Sequence, residues 1–248
     1  MTLKIANIKI PLLALSVTLL AVSVMVKLGF WQLARAEQKQ QLFSDYQQGQ
    51  QLKSDSRVDL ALLRRQPDRF EPVSVTGRFD PQAFFLLDNQ LKEGQAGYHV
   101  IGLLQADSLQ APVPVNLGWV PAPASRQQLP AVELPAQKLN VTGLVRYPEA
   151  NVFIDQVVEQ QSTLWPRRVQ QFVPEEITEL TGIEMAPYVI LLNPQASFGF
   201  QRNWQPQIMP AEKHHAYALQ WFTLATAALI IFVIAVITTN KQKKEESS

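Results

Sequence analysis

The chain's most versatile side chains are its three imidazoles, His99, His214 and His215. Two are adjacent, in Lys213-His214-His215-Ala216-Tyr217-Ala218-Leu219-Gln220-Trp221-Phe222, which leads into the apolar run Thr223 to Ile237. Tyr and Trp concentrate at membrane–water interfaces because their rings are apolar at one end and polar at the other. The stretch therefore reads as the entry of a membrane helix. A histidine at that depth is neither fully hydrated nor fully buried. It can ligate a metal, most obviously a haem iron through an imidazole nitrogen, with the aromatic neighbours sheltering the macrocycle. It can equally be an interfacial anchor. His99 lies in an apparent strand and reads as a surface or half-buried sheet residue. A Ser-His-Asp arrangement built on it has no nucleophile motif in support.

Two further groups have a chemical and a structural reading. Asp88-Asn89, followed by Gly94 and Gly97, supplies turn geometry, or else a carboxylate and an amide that contact a partner. Trp165-Pro166-Arg167-Arg168 sets two cations beside an aromatic ring, suited to a propionate or a lipid headgroup, or simply to solvent. The absence of cysteine excludes disulfides, thiolate catalysis and thiolate metal sites. The chain carries no G-x-S-x-G, phosphate-binding loop, H-E-x-x-H or dinucleotide fingerprint. Its formal net charge of +1 gives no overall basic field for nucleic acid.

Two apolar segments hold much of the 47% hydrophobic content, one near each end. Ile10 to Val26 is uncharged, and Leu28 to Trp31 extend it beyond Lys27. A helix over Ile10 to Leu28 would span about 28 Å, close to the hydrocarbon thickness of a bilayer. Its Ala14, Ser16, Ala21 and Ser23 are small enough for a second helix to approach closely. The second segment, about Ala216 to Thr239, is as long. A cleaved signal peptide is the alternative for the first, with Lys4 and Lys9 leading and Ala34-Arg35-Ala36 as the cleavage site. The run is longer than a usual signal core, and that site lies in what reads as continuing helix. Lys4 and Lys9 precede the first span, and Lys241, Lys243 and Lys244 follow the second, which predicts two cytoplasmic tails. The loop 32–212 carries 15 Lys and Arg against 19 Asp and Glu, and a long loop crosses largely regardless of charge. The expected organisation is a tail over 1–9, a transmembrane helix over 10–31, an extracytoplasmic domain over 32–212, a second transmembrane helix over 216–239 and a tail over 240–248.

Between the spans, Leu28 to Gln51 continues as a helical stalk with a broken apolar stripe. Arg57 to Arg65 reads as a short helix closed by Pro67. Alternation at Val73, Val75, Gly77 and Phe79 gives a strand that Asp80-Pro81 ends. Phe84 to Leu87, Tyr98 to Gln105, Pro114 to Val120 and Leu139 to Arg146 read as strands, with Asp88 to Gln90 and Glu93 to Gly97 as the intervening loop. Asn151 to Asp155 and Val169 to Val173 are weaker ones. Pro174 to Gly182 is a short helix, with Pro near its start, acids in its first turn and a terminal Gly. Tyr188 to Leu192 has the length of a buried strand. The fold class is membrane α+β: a transmembrane hairpin flanking a mainly antiparallel sheet or partly closed barrel with short helices.

The segment Gly29-Phe30-Trp31-Gln32-Leu33-Ala34-Arg35-Ala36-Glu37-Gln38-Lys39 resembles the G-x-W-Q-L-x-R-x-x-x-K signature of the surfeit locus protein one family (the Shy proteins of fungi). Asp88-Asn89, Gly94 and Gly97-Tyr98-His99-Val100 resemble its D-N…G-x-x-G-Y-x-V block. Val115 to Pro121 resembles V-N-R-G-W-V-P, and Val141 to Arg146 with Pro148 the following V-x-G-x-x-R element. Lys213 to Phe222 is similar to the closing K-H-x-x-Y-A-x-Q-W-F. The blocks fall in family order over nearly the whole chain. The pattern departs at Leu117, where the family has Arg, and at Gly102-Leu103, where it has Thr-Pro. The resemblance implies a non-enzymatic assembly factor for haem–copper cytochrome c oxidase that supplies or stabilises haem a in the catalytic subunit. His214 matches the family histidine and His215 a variable position. His214 is thus the expected axial ligand, metal-binding only through haem iron, with Tyr217, Trp221 and Trp31 around it. Arg35, Asp88, Asn89, Tyr98, Trp119 and Arg146 are the expected partner contacts, toward oxidase subunits and a haem a synthase. The N-terminal stretch is not Arg- and Ser-rich, so the expected location is a bacterial inner membrane with the main domain periplasmic. A membrane scaffold that never touches haem and a membrane-anchored periplasmic hydrolase are the alternatives.

Overall fold

The computed structural model describes residues 2–5, 8–51, 57–125, 127–151, 153–154, 157, 164–202, 204 and 210–245. The chain divides into two compact units, Met1–Ser44 with Pro206–Ser248, and Asp45–Gln205.

The first unit opens with an antiparallel pair, β1 (Thr2–Ile5) and β2 (Ile8–Pro11). Helix α1 (Leu12–Gln51) follows. The expected helix start at Ile10 is thus displaced: Ile10 and Pro11 are strand, and Pro11, which lacks an N–H to donate, directly precedes the helix. The expected stalk is the unbroken continuation of α1. Helix α3 (Ala211–Glu245) closes the chain. Both helices contain stretches long and apolar enough to cross a membrane. Large apolar side chains stand outward on both, such as Leu20 at 68% and Ile231 at 66% exposure. A bilayer covers such a surface and water does not. Hydroxyls within these stretches turn back on their own helix: Ser23 donates to the Leu19 carbonyl at 2.7 Å, and Thr223 to that of Leu219 at 2.8 Å. This satisfies them without solvent.

The second unit is built on a seven-stranded sheet. Strand β4 (Pro72–Lys92) pairs antiparallel with β7 (Leu139–Arg146) through Pro72–Gly77, and with β5 (Gln95–Gln105) through most of the remainder. Strand β5 pairs with β6 (Val113–Pro121), β6 runs parallel to β9 (Val189–Leu192), and β9 returns to β7. The circuit β4-β5-β6-β9-β7-β4 closes a five-stranded barrel, which leaves those strands little open edge. The order, with one parallel contact, is that of OB-type Greek-key barrels. That architecture hosts many functions and by itself names none.

Alternation decides which side chains fill the barrel. Val73, Val75 and Phe79 point inward while Thr76 and Arg78 are exposed. Val100, Leu104, Val115, Val141 and Ile190 meet them in the interior. Each such side chain contributes on the order of 1.5–3 kcal/mol when buried. A second cluster, including Phe85, Ile101, Phe172, Ile177 and Val189, lies on the outer face under α2 (Pro174–Thr181) and β8 (Arg167–Val169). Helix α2 begins with Pro174, has Glu175 and Glu176 in its first turn, and is closed by Gly182 at φ 69°.

Several boundaries differ from the sequence reading. The expected helix over Arg57 to Arg65 is instead β3 (Val58–Asp59), parallel to β4, followed by a turn. Leu60 donates its N–H to the Ser74 carbonyl at 3.0 Å and buries its side chain, so sheet pairing outweighs helical spacing. Asp80-Pro81 does not end a strand. It lies in a register shift between Phe79 and Phe84, where a missing N–H does no harm. Asp88-Asn89 is a second shift inside β4, with Asn89 at φ 58°, and the turn proper is Glu93-Gly94. Asn151, Phe153 and Ile154 are not strand, while Val152 and Asp155 fall outside the described residues. The expected strand Val169 to Val173 sits earlier, at Arg167–Val169.

Candidate functional site

In the first unit α1 and α3 touch where Gly29 and Phe30 meet Phe222 and where Gln32 meets His214. Gly29 and Ala36 are buried on α1, and His214, Ala218 and Ala225 on α3, at the four- and seven-residue spacings of a helix face. A Cβ on Gly29 would lie 2.6 Å from the Phe222 ring, so a side chain there would displace that ring. Phe30 packs edge-on against Phe222, with ring centroids 5.4 Å apart. Further along, Oε1 of Gln32 lies 2.8 Å from Nδ1 of His214. His214 is 8% exposed, and its Nε2 is buried with no hydrogen-bond partner among the described residues.

The expected aromatic lining is only partly assembled. Trp221 is half-buried, next to Phe222, but Tyr217 is 45% and Trp31 56% exposed. The inter-helix ring pair is Phe30 with Phe222. His215 is exposed beside the buried His214. Gln32, which sequence reasoning did not single out, is the imidazole's partner. Its signal was an amide in the polar part of the Gly29–Lys39 block, with nothing to indicate what it faced. Arg35 is exposed, and its guanidinium donates to Gln38 Oε1 at 3.1 Å.

In the second unit, two blocks distant in sequence form one cluster. Tyr98 pairs with Val120 and His99 with Trp119 across β5 and β6. Trp119 is 5% exposed, and its Nε1 donates to the Gln90 carbonyl at 2.9 Å. A Cβ on Gly97 would meet the Trp119 indole at 2.4 Å, so the glycine is the ring's seat. Trp119 and Gln201 exchange backbone hydrogen bonds of 2.7 and 3.2 Å. Lys92 donates to Gln201 Oε1 at 2.6 Å and stands 5.8 Å from the indole centroid. Trp204 donates to the Leu192 carbonyl at 2.7 Å and meets the His99 ring edge-on at 5.6 Å. The chain after β9 is thus clasped onto β6. Sequence reasoning missed Gln90, Lys92, Asn116, Gln201 and Trp204, which take part only through these long-range pairings.

His99 Nδ1 lies 3.3 Å from the buried Asn116 amide. Burial, with a smaller contribution from the Arg146 cation, lowers its pKa to about 4. It is neutral at physiological pH. Tyr98 is 1% exposed and belongs to the barrel interior. Asp88 is half-buried, and Asn89 and Arg146 are exposed. Asp88 Oδ1 accepts the Asn89 N–H at 2.7 Å, which supports the positive-φ residue. The Arg167 guanidinium stacks on Trp165 at 4.9 Å, and Arg167 and Arg168 pair along β4. Both departures from the family pattern are internal: Leu117 and Leu103 are 0% and 6% exposed, and the space a Gly102 Cβ would need is held by Phe79 and Leu134.

A sequence model of the SURF1 family matches residues 19–226, from within α1 to within α3. No curated protein matches the chain.

Proposed function

The chain belongs to the SURF1 family, which is associated with cytochrome oxidase assembly, and from that premise we propose that it helps haem a into the oxidase catalytic subunit or stabilises it there. It acts as an assembly factor, not an enzyme, and haem a is its transient cargo. The observation that carries this reading is His214, an imidazole buried on α3 against Gln32 of α1, with Nε2 unpartnered among the described residues. A buried polar atom without a partner costs about 1–3 kcal/mol, and an iron at Nε2 would relieve that cost. Because Nε2 is fully covered, neighbouring side chains must move for iron to reach it. Among the described residues no three His, Asp or Glu side chains cluster as metal ligands. A bare ion needs about three or four protein ligands, whereas haem brings four nitrogens of its own and needs an axial one.

In this reading Gln32 holds the other ring nitrogen of His214, and Trp221, with Tyr217 and Trp31 further out, contacts the macrocycle. The partners are oxidase subunits and a haem a synthase, met through Arg35 and through Asp88, Asn89 and Arg146 of the barrel. Tyr98 and Trp119 act from inside it. In a bacterial inner membrane, the lysines flanking both helices favour cytoplasmic termini and a periplasmic barrel. In oxidase-producing cells lacking this protein, haem a in the catalytic subunit should fall. Wild-type protein should restore it and His214→Ala should not. Full restoration by His214→Ala would leave the scaffold that never touches haem.

A further inference from the structure

Gln32 and His214 are 182 residues apart in sequence, and their side chains meet at 2.8 Å. A carbonyl oxygen can only accept, so the Gln32 Oε1 contact with Nδ1 requires the proton to sit on Nδ1. Histidine in water favours the opposite arrangement, with the proton on Nε2. Here that arrangement would require the Gln32 amide to turn over so that its NH2 donates to Nδ1, and would leave Nε2 a buried donor with no partner among the described residues. An N–H buried without an acceptor is unfavourable where solvent cannot compensate. We propose that Gln32 is the positioning residue of this site: it fixes the His214 tautomer, turns the ring, and leaves Nε2 as the nitrogen whose lone pair a metal can take.

The residue type suits the task. An amide oxygen orients the imidazole while leaving it neutral, the form that ligates metals. A carboxylate would hold the same proton and add a charge that is costly near the membrane interior. Groups that hold the far nitrogen of a ligating histidine commonly change metal affinity by about 10–100-fold when removed. The assignment of Nε2 as the iron-facing atom rests on the haem reading. The tautomer itself does not.

The test uses full-length protein labelled with 15N-histidine, in lipid nanodiscs and without haem. Ring-nitrogen shifts separate protonated from bare nitrogens, and His214→Ala identifies the His214 signals. The expected result is a protonated Nδ1 and a bare Nε2 in the wild type, reversal in Gln32→Leu, and retention in Gln32→Glu. When haem a is added, Gln32→Leu should bind roughly 10–100-fold more weakly than wild type, and Gln32→Glu should recover most of the loss. A wild-type His214 protonated on Nε2 overturns the proposal even if no variant folds. So does a tautomer that Gln32→Leu leaves unchanged. Expected tautomers with no haem bound by any variant uphold the role of Gln32 and remove the haem reading. Haem bound by a wild type protonated on Nε2 does the reverse.

Discussion

At the scale of single residues, the environments of two histidines lead to different chemistry. His99 has an indole edge and a buried amide as neighbours, and burial, helped by the Arg146 cation, lowers its pKa from 6.5 to about 4. Between those values the unfolded chain binds the proton and the folded one does not, so acid favours unfolding. The stability due to neutral His99 is complete above pH 6.5 and is lost as pH falls toward 4, by roughly 3 kcal/mol at the upper limit. Urea unfolding at pH 7 and pH 5 should show a loss on acidification that His99→Gln largely abolishes. An unchanged pH dependence in the variant would contradict the assignment. The pair His214-His215 drew notice in the sequence because aromatic, interfacial residues surround it, and the family resemblance singled out His214. What made it specific, the Gln32 amide, comes from the opposite end of the chain. Sequence spacing cannot show a contact made by packing.

At the scale of elements, the helix pair has a tight contact at one glycine. A Cβ at Gly29 would stand 2.6 Å from the Phe222 ring. Gly29→Val should therefore destabilise the pair by about 1–3 kcal/mol, read as a lower thermal midpoint in detergent. Adding Phe222→Ala should recover part of that loss, because the two residues share the contact. Equal losses in both backgrounds would mean that Gly29 does not seat this ring. Elements with local signals were read correctly: β7 from strict alternation, and α2 from its leading proline and closing Gly182. The errors fall where a distant strand decides. Leu60, Leu62 and Leu63 suggest a helix, yet Leu60 bonds to Ser74. Asp80-Pro81 suggests a stop, yet pairing with β5 continues beyond it through a register shift. Barrel closure likewise needs β4 to serve two partners along its length, which no local pattern encodes.

At the scale of the molecule, two membrane-length helices and a barrel-bearing unit form one chain of the SURF1 family. The lack of native cysteine makes its orientation measurable. A cysteine in place of exposed Ser108 should react with an impermeant maleimide added to intact spheroplasts. One in place of exposed Gln242 should react only after lysis. The opposite pattern would invert the proposed topology. The central claim, that this chain handles haem through His214, has a more direct measurement. It is the visible spectrum of protein purified after co-expression with haem a synthesis. The account predicts a bound haem a chromophore in the wild type that His214→Ala loses while its far-ultraviolet dichroism is unchanged. A His214→Ala protein carrying the same chromophore at the same occupancy would contradict it.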